Sequence, residues 1–308
     1  MQFSVLRYVL ETARVGSIRR AAEVLYVAPS AVSRQIALLE QTYGTPLFDR
    51  HASGMRLTAA GEVFARQARA TIQDFDRMRS EIDDLQNLRR GVVRIHSIAA
   101  TVPGLLHQAM AEFNRSYPGI SYEVQIAGSV KALAALAREE CDIAITFEPE
   151  PHADVEEVQA LRDPIVAIMH PKHPLAERTR LSLRDLASYP VALLDETHAT
   201  RKLLDRALAV EAIALRPILS LNEIGLGVEF AASGMAIVFA PRYVVRAQVR
   251  AGNVKTVILD YPSFLNTRFA LCRHRTRPPT VPARVFMQTL QRQFTALDKE
   301  INKRPKRR

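Results

Sequence analysis

The segment from Gly16 to Gly61 carries the most specific pattern in the chain: two short helical stretches, a turn between them, and a basic hairpin. Ser17 is a candidate N-cap for the first stretch, whose small apolar residues let a second helix cross closely. Pro29 suits the first turn of the second stretch, where its missing N–H would be unpaired in any case. Steps of four, three and four then predict one buried face, made of Val32, Ile36, Leu39 and Tyr43.

The opposite face of the second helix is small, hydroxyl-bearing and basic, and its pattern includes no carboxylate. Hydroxyls and a guanidinium of this kind can meet phosphates and base edges in the major groove of DNA. The alternative is a small helical domain whose arginines are merely solvated. We favour binding to double-stranded DNA, and the predicted contacts are Arg20, Pro29, Ser30, Ser33, Arg34, Arg50 and Arg56.

These residues resemble the winged helix-turn-helix of the LysR-type transcriptional regulators. The resemblance is carried by RRAAEVLYVAPSAVSRQIALLE, then GTPLFDR, then RLTAAG, in the family's order and spacing. One departure is Ala28-Pro29, which stands where the family usually offers Ser-Gln or a similar pair. Because Pro29 has no side-chain donor or acceptor, base discrimination would depend on the two serines and Arg34, on thymine methyl groups, or on DNA shape.

Length and charge agree with a DNA-binding protein of several domains. A chain of 308 residues is too long for one ordinary core and predicts two or three domains. The net charge of +10 favours a polyanionic partner, although a membrane surface would also suit it. Every cation in the first sixty residues is Arg, which favours bidentate contacts. The closing KRPKRR predicts a solvated tail, with weak non-specific attraction to DNA as the alternative.

The sequence favours a cytoplasmic protein without a membrane partner. Its N-terminus lacks the basic start, apolar run and cleavage site of a signal peptide. The most apolar later stretch, near Gly225 to Pro241, is too short to span a bilayer and carries Glu229. Cys141 and Cys272 are too few for a disulfide scaffold and are expected as small core residues rather than as a redox switch.

A long helical stretch follows the hairpin, from the candidate N-cap Thr58 to about Leu88. Its apolar residues recur in steps of four and three over about three heptads, as in helices that pair with one another. The alternative is a helix packed on its own domain. In the family this is the linker helix, so the resemblance implies dimers that assemble into tetramers. The predicted dimer contacts are Phe64, Phe75, Met78, Ile82 and Leu85.

From Gly91 onward strands alternate with helices, which predicts a parallel, doubly wound α/β domain. The alternation recurs after Asp163 and predicts two similar lobes that exchange at about Leu161 and near Asn266. The resemblance implies the family's effector domain, similar to type 2 periplasmic-binding proteins. The predicted domains are 1–58 (helix-turn-helix about 18–37), the linker helix 59–89, the effector domain 91–301 and the tail 302–308; lobe I is 91–161 with 266–301, and lobe II is 162–265.

The cleft between the lobes is the predicted site of a small-molecule effector. Doubly wound sheets bind ligands at the carboxyl ends of strands, where helix N-termini offer free N–H groups. Such groups suit a small carboxylate or amide, but Asp195 and Glu196 would repel an anion unless Arg201 or His198 offsets them. The alternative for each residue is a helix cap. The predicted contacts are Ser97, Thr101, Gly128, Ser129, Thr146, Phe147, Thr197, Arg201 and Asn222.

No pattern indicates catalysis, a cofactor or a metal. His170 and His173 have ligand spacing, but the prolines between and after them favour a turn. An enzyme with an appended DNA-binding domain would need a nucleophile–base pair or a metal cluster. A solute-binding transport protein would need a secretion signal and would not carry residues 1–60.

The sequence therefore predicts a transcriptional regulator and not an enzyme. We expect a small metabolite in the cleft to control its operator binding or its activation of transcription. If it activates, we also expect a contact with RNA polymerase.

Overall fold

The computed structural model describes residues 3–51, 54–84 and 90–301 of the chain. They form two compact units, an N-terminal unit made mainly of residues 3–84 and a C-terminal unit made mainly of residues 90–301. Within these ranges no helix is both long enough and apolar enough to cross a membrane. Leu85 and the tail 302–308 lie outside the described residues, as do the side chains of Arg50 and Ile82.

The N-terminal unit is a helical bundle followed by a hairpin and a long helix. The amide of Arg20 donates to the Ser17 hydroxyl at 3.4 Å, and Pro29 is the first residue of the third helix, so both predicted helix starts are confirmed. The elements are α1 (Phe3–Val15), α2 (Ile18–Val24), α3 (Pro29–Tyr43), β1 (Phe48–His51), β2 (Gly54–Leu57) and α4 (Ala59–Asp84).

Two contacts fix the chain between α3 and α4. The Glu40 carboxylate accepts hydrogen bonds from the amides of Leu47 and Phe48, at 2.8 and 3.2 Å. The Thr58 hydroxyl accepts from the amide of Gly61 at 3.0 Å, which confirms the predicted cap of α4. A Cβ at Gly61 would lie 2.0 Å from the Leu47 carbonyl oxygen, so only glycine fits at this crossing.

The predicted buried face of α3 is correct except at its last residue. Val32, Ile36 and Leu39 are buried in the core of the N-terminal unit. Tyr43 is 55% exposed instead, and its ring contacts the edge of Phe64 with centroids 5.7 Å apart. The reason is that α3 ends at this residue, so its last turn reaches past the three-helix core.

Lobe I of the C-terminal unit is a five-stranded sheet with helices on both faces. Its elements are β3 (Gly91–Ser97), α5 (His107–Ser116), β4 (Ile120–Ile126), α6 (Ser129–Ala137), β5 (Ile143–Phe147), β6 (Val155–Arg162), β13 (Arg268–His274) and α12 (Val281–Ile301). Helices α5 and α12 cover one face and α6 covers the other. The strand order is β4-β3-β5-β13-β6, with β3 parallel to both neighbours and β13 antiparallel to both.

Lobe II contains a four-stranded sheet and a separate parallel pair of strands. Its elements are β7 (Ile165–Met169), β8 (Arg180–Leu181), α7 (Leu183–Leu186), β9 (Pro190–Leu194), α8 (Ala199–Glu211), β10 (Arg216–Leu221), α9 (Ile224–Ala232), β11 (Val238–Pro241), α10 (Arg246–Arg250), β12 (Lys255–Leu259) and α11 (Pro262–Leu265). The sheet has the order β11-β7-β12-β8, and the pair is β9 with β10. A bridge between Val191 and Ile237 connects the pair to the larger sheet.

The predicted two-lobed α/β architecture is confirmed, but its sheets are mixed rather than wholly parallel. Strand β7 runs antiparallel to β11 and β12, and β13 runs antiparallel to β5 and β6. The strand that enters each lobe, β7 in lobe II and β13 in lobe I, is the one that runs against both of its neighbours.

The first helix of lobe I is shorter than predicted. The pattern from Val102 to Pro118 predicts a helix, but α5 begins only at His107. Pro103 has ψ 113° and Gly104 has φ 107°, and both values lie outside the helical range. The segment before α5 is therefore an irregular turn.

Candidate nucleic-acid interface and ligand cavity

The face of α3 opposite the core presents the predicted DNA-contacting residues to solvent. Pro29, Ser30 and Arg34 are exposed, and Ser33 is half-buried. On the preceding helix α2, Arg20 is also exposed. A helix with hydroxyls and a guanidinium on its open face can donate to base edges and to phosphate oxygens.

The hairpin that follows α3 carries the two remaining predicted arginines. In the antiparallel register of β1 and β2, Arg50 pairs with Met55, and Arg56 pairs with Asp49. Arg56 and Asp49 are both exposed. The hairpin therefore places an acid directly opposite Arg56 in the neighbouring strand.

Sequence analysis missed Tyr26, which lies in the turn between α2 and α3. Its side chain is 96% exposed, and its φ of 55° lies in the left-handed region. An aromatic residue in that region costs about 1–3 kcal/mol of backbone strain. A large ring where a turn favours glycine or asparagine is the signal that could have identified it.

Helix α4 buries small residues and exposes large ones. Ala65 and Ala68 are buried, whereas Phe75 and Met78 expose 45% and 47% of their surface. Phe64 is half-buried against the core. The change along α4 from buried alanines to exposed large apolar residues is typical of a helix that packs on a further surface.

A cavity of about 550 Å³ lies between the two lobes of the C-terminal unit. Its volume falls within the range of about 300–1,000 Å³ that is usual for small-molecule sites. Five of the nine predicted contacts line it: Gly128, Ser129, Phe147, Thr197 and Asn222.

The other predicted contacts are not on the cavity wall. The hydroxyls of Ser97 and Thr101 are buried and lie 2.6 Å apart, hydrogen-bonded to each other. Thr146 is also buried, and its hydroxyl donates to the Ala270 carbonyl at 3.4 Å. Arg201 is held by the Asp205 carboxylate at 2.8 Å. None of these four residues lines the cavity, so we leave them out of the proposed effector site.

Two carboxylates, Asp195 and Glu223, lie on the lobe II wall. Of the two acids expected to repel an anion, Asp195 lies on this wall, and Glu196 is exposed outside it. Both oxygens of Glu223 accept from the first turn of α9, at the amides of Gly225 and Leu226. One oxygen of Asp195 accepts from the amide and hydroxyl of Thr197 and lies 3.0 Å from His198 Nδ1. These hydrogen bonds, led by the Thr197 hydroxyl, lower the pKa of Asp195 to about 2.

The lobe I wall differs in its charge. Ser129 begins α6, and its hydroxyl donates to the Phe147 carbonyl at 2.8 Å and accepts from the Phe147 amide at 3.0 Å. Lys131, in the first turn of α6, also lines the cavity. Sequence analysis missed Lys131 because it followed strand ends and did not continue into the helix that starts there.

The connection between the lobes contains a buried carboxyl group, Asp163. One of its oxygens accepts from the amide of Tyr243 at 2.7 Å, and the other has no hydrogen-bond partner and lies 3.8 Å from Arg242 Nε. Burial raises the pKa of Asp163 to about 7, against the opposing effects of the Tyr243 amide and Arg242. The Asp163 amide donates to the Thr267 carbonyl at 2.9 Å, and the Thr267 hydroxyl donates to the Asp163 carbonyl.

The residues considered for metal or redox chemistry have ordinary surroundings. The Nδ1 atoms of His170 and His173 accept from the amides of Lys172 and Leu175, as in a turn. Cys141 and Cys272 are buried, as predicted, and burial raises the pKa of Cys272 to about 11. Among the described residues there is no group of three or more side chains that could hold a metal ion.

Two family models match this chain and together account for both units. The model described as "Bacterial regulatory helix-turn-helix protein, lysR family" matches residues 3–62. The model described as "LysR substrate binding domain" matches residues 86–295. The chain belongs to the LysR family. It is a LysR-type transcriptional regulator with a DNA-binding helix-turn-helix domain and an effector-binding domain.

Named relatives of this LysR-type regulator are also transcriptional regulators. The chain is 30% identical to the transcriptional activator CmpR of Synechocystis over 61% of its length and 62% of the relative, so it spans less than two thirds of that protein. It is 31% identical to the RuBisCO operon transcriptional regulator of Allochromatium vinosum, over 65% of this chain and 66% of that one.

Solved structures show that the LysR-type fold extends over nearly the whole chain. A full-length OxyR variant of Pseudomonas aeruginosa has a TM-score of 0.73 at 21% identity, covering 96% of this chain and 94% of that one. Full-length CbnR complexed with its target DNA has a TM-score of 0.62 at 18% identity, covering 95% and 100%. The effector-binding domain of QuiR in complex with shikimate has a TM-score of 0.57 at 20% identity, covering 67% and 98%.

Proposed function

We propose that this regulator binds its operator through α3 and the hairpin and is controlled by a small metabolite in the cavity between its lobes. The cavity carries the proposal, because it combines a ligand-sized volume, apolar walls and polar strand ends from both lobes. The effector-bound QuiR domain and the DNA-bound CbnR chain support this separation of effector binding from DNA binding.

For operator binding we assign base readout to Ser33 and Arg34 and phosphate contacts to Arg20, Arg50 and Arg56. Pro29 and Ser30 lie at the start of the same helix. To these predicted residues we add Tyr26, since its exposed, strained position beside α3 is best compensated by a contact outside the chain. The proposed DNA-binding domain is 1–58.

For effector binding we retain Gly128, Ser129, Phe147, Thr197 and Asn222. A ligand that contacts both lobes favours the arrangement in which they are closed. A regulator with two arrangements needs only different ligand affinities for them in order to change its action on DNA. The proposed effector domain is 91–301, and its lobes exchange at about 161–162 and 265–266.

Self-association is proposed through α4, within the linker helix 59–89. Phe75 and Met78 expose large apolar surface on one side of this helix, and Phe64 lies on the same predicted seam. We propose a dimer on this seam and tetramers made from dimers, at work in the cytoplasm, where the chromosome is. A contact with RNA polymerase is proposed if the protein activates transcription, as the relative CmpR is named to do. We propose that it performs no catalysis.

The test is operator footprinting with and without metabolites that raise the unfolding temperature of the full chain. A ligand at 100 times its dissociation constant stabilises the folded state by about 2.7 kcal/mol. Ala99 lines the cavity, so Ala99→Leu should fill part of it and remove both the thermal shift and the change in footprint. The matched control is Ala209→Leu, on the exposed side of α8 and outside the cavity wall. An unchanged ligand response in Ala99→Leu would place the effector elsewhere.

A further inference from the structure

The charges on the cavity wall are divided between the two lobes. Lobe II contributes Asp195, which lies 3.0 Å from Nδ1 of the neighbouring wall residue His198, and Glu223, and lobe I contributes Lys131. The two acids follow neighbouring strands, because Leu194 pairs with Leu221 at the ends of β9 and β10. The wall therefore has an acidic side and a basic side that face one cavity.

The acidic side occupies the places where lobe II would otherwise hold an anion. Glu223 fills the N-terminus of α9 with both carboxylate oxygens, at 2.9 and 2.7 Å from two amide nitrogens. Asp195 stands just before α8, with its pKa far below neutrality, so it is an anion under all physiological conditions. A second negative charge brought to this wall by a ligand would meet two fixed carboxylates, and like charges at close range are strongly unfavourable.

The basic side leaves room for an anion. The first turn of α6 holds no acidic residue and includes Lys131, while the Ser129 hydroxyl is already engaged with Phe147. A carboxylate placed here would meet an ammonium group and the positive end of a helix. Ile98, Leu194 and Phe269 add an apolar surface to the same cavity.

We propose that the effector is a zwitterion of the amino-acid type. Its carboxylate binds lobe I at Lys131 and the first turn of α6, its ammonium group binds lobe II at Asp195 and Glu223, and its side chain lies against the apolar wall. Each lobe then holds the opposite charge of one small molecule, so only a ligand with both charges favours closure of both lobes. This inference rests on the proposed effector cavity and names the class of ligand that the cavity takes.

The first test measures binding of the twenty common amino acids to the full-length protein by calorimetry and thermal unfolding. Each amino acid that binds is compared with two analogues of the same skeleton; for phenylalanine these are 3-phenylpropanoate and phenethylamine. A site built to pair a polar group strongly rejects the analogue that lacks it. We expect both analogues to bind more than about 100-fold more weakly. Glutarate, which carries two negative charges and no ammonium group, should not bind.

The second test uses variants of the acidic side. Glu223→Gln and Asp195→Asn should each lower the affinity for the amino acid by at least about tenfold and reduce the protein's preference for it over the deaminated analogue. Lys131→Met should reduce the protein's preference for the amino acid over the decarboxylated analogue. The matched control is Glu196→Gln, because Glu196 is exposed and outside the wall. Glutamine keeps an oxygen that can cap α9, and unfolding curves of each variant confirm that it is folded.

The possible outcomes distinguish failure of the zwitterion proposal from failure of the proposed effector cavity. Binding of no amino acid, or equal binding of an amino acid and its deaminated analogue, overturns the zwitterion. If glutarate or another dianion binds and Ala99→Leu abolishes that binding, the cavity remains the effector site and only its ligand class is wrong. If a metabolite alters the footprint but responds to none of these cavity variants, both proposals fail.

Discussion

Replacing Asp163 with asparagine should change how the stability of the regulator depends on pH. Asp163 is fully buried, and one of its oxygens has no hydrogen-bond partner, so folding favours the protonated acid over the carboxylate. Its pKa rises from the usual 3.8 to about 7. At about 1.4 kcal/mol for each pH unit, folding disfavours the charged form by about 4 kcal/mol.

The direction follows from which state holds the proton. Between the unfolded pKa of 3.8 and the folded pKa of about 7, the folded chain is protonated at Asp163 and the unfolded chain is not. The stabilisation is complete below the lower value, and it is lost as the pH rises through the upper one. The asparagine of the variant cannot titrate. The free energy of unfolding of Asp163→Asn, minus that of the wild type, should therefore rise by about 2 kcal/mol from pH 5 to pH 7, and it should level off near pH 8.

Urea unfolding of both proteins, followed by circular dichroism at pH 5, 6, 7 and 8, measures this difference, and other titrating groups cancel. The control is Asp185→Asn, because hydrogen bonds from the Ser182 hydroxyl and amide lower the pKa of Asp185. Its difference from the wild type should stay constant over the same range. A constant difference for Asp163→Asn as well would refute the reasoning and show that Arg242 keeps Asp163 charged throughout.

Three further predictions concern the N-terminal unit. Ser33→Ala should weaken binding to the operator by about 1–3 kcal/mol and binding to random DNA only slightly. Arg56→Ala should weaken binding to both DNAs alike and reduce the salt dependence of binding. Salt titrations on the two DNAs distinguish base readout from phosphate contact. The double variant Phe75→Asp, Met78→Asp should dissociate the dimer while the effector domain stays folded, because unpaired charges would enter an apolar seam. An unchanged sedimentation mass would mean that the seam packs within one subunit. Gly61→Ala should destabilise the unit by about 1–3 kcal/mol in thermal unfolding, because its Cβ would lie 2.0 Å from a backbone oxygen; an unaltered unfolding temperature would show that the crossing relaxes freely.

Local patterns were sufficient for the helix-turn-helix and for most strands of the effector domain. Ser17, Pro29 and Thr58 act within four residues of themselves, so a short window of sequence reveals them. Strand β6 is not among the strands predicted from the sequence, where Glu156 and Glu157 interrupt the apolar pattern of a buried strand. Their charges are paired across the sheet with Arg273 and Arg268 of β13, at 2.8 and 3.3 Å, and no local window includes partners so far apart in sequence.

The cleft was predicted in its position but only partly in its residues. Side chains alternate between the two faces of a strand, so an error of one residue in a predicted position moves a side chain from the cavity wall to the protein interior. Ser97 ends β3 on the interior side, and Ile98, one residue later, lines the cavity. Thr101 and Thr146 are likewise buried, and their hydroxyls hydrogen-bond to protein groups instead of lining the cavity.

The pairing of the two interlobe connections has a mechanical consequence. Because Asp163 and Thr267 are joined by two hydrogen bonds, one from each residue, the connections form a ribbon rather than two separate tethers. A ribbon bends and twists readily, but it resists shear, since shear would break both bonds at once. Lobe II can therefore rock towards lobe I about this ribbon, whereas sliding past it is strongly resisted. Ligands of different sizes would then change the angle between the lobes by different amounts along the same rocking movement.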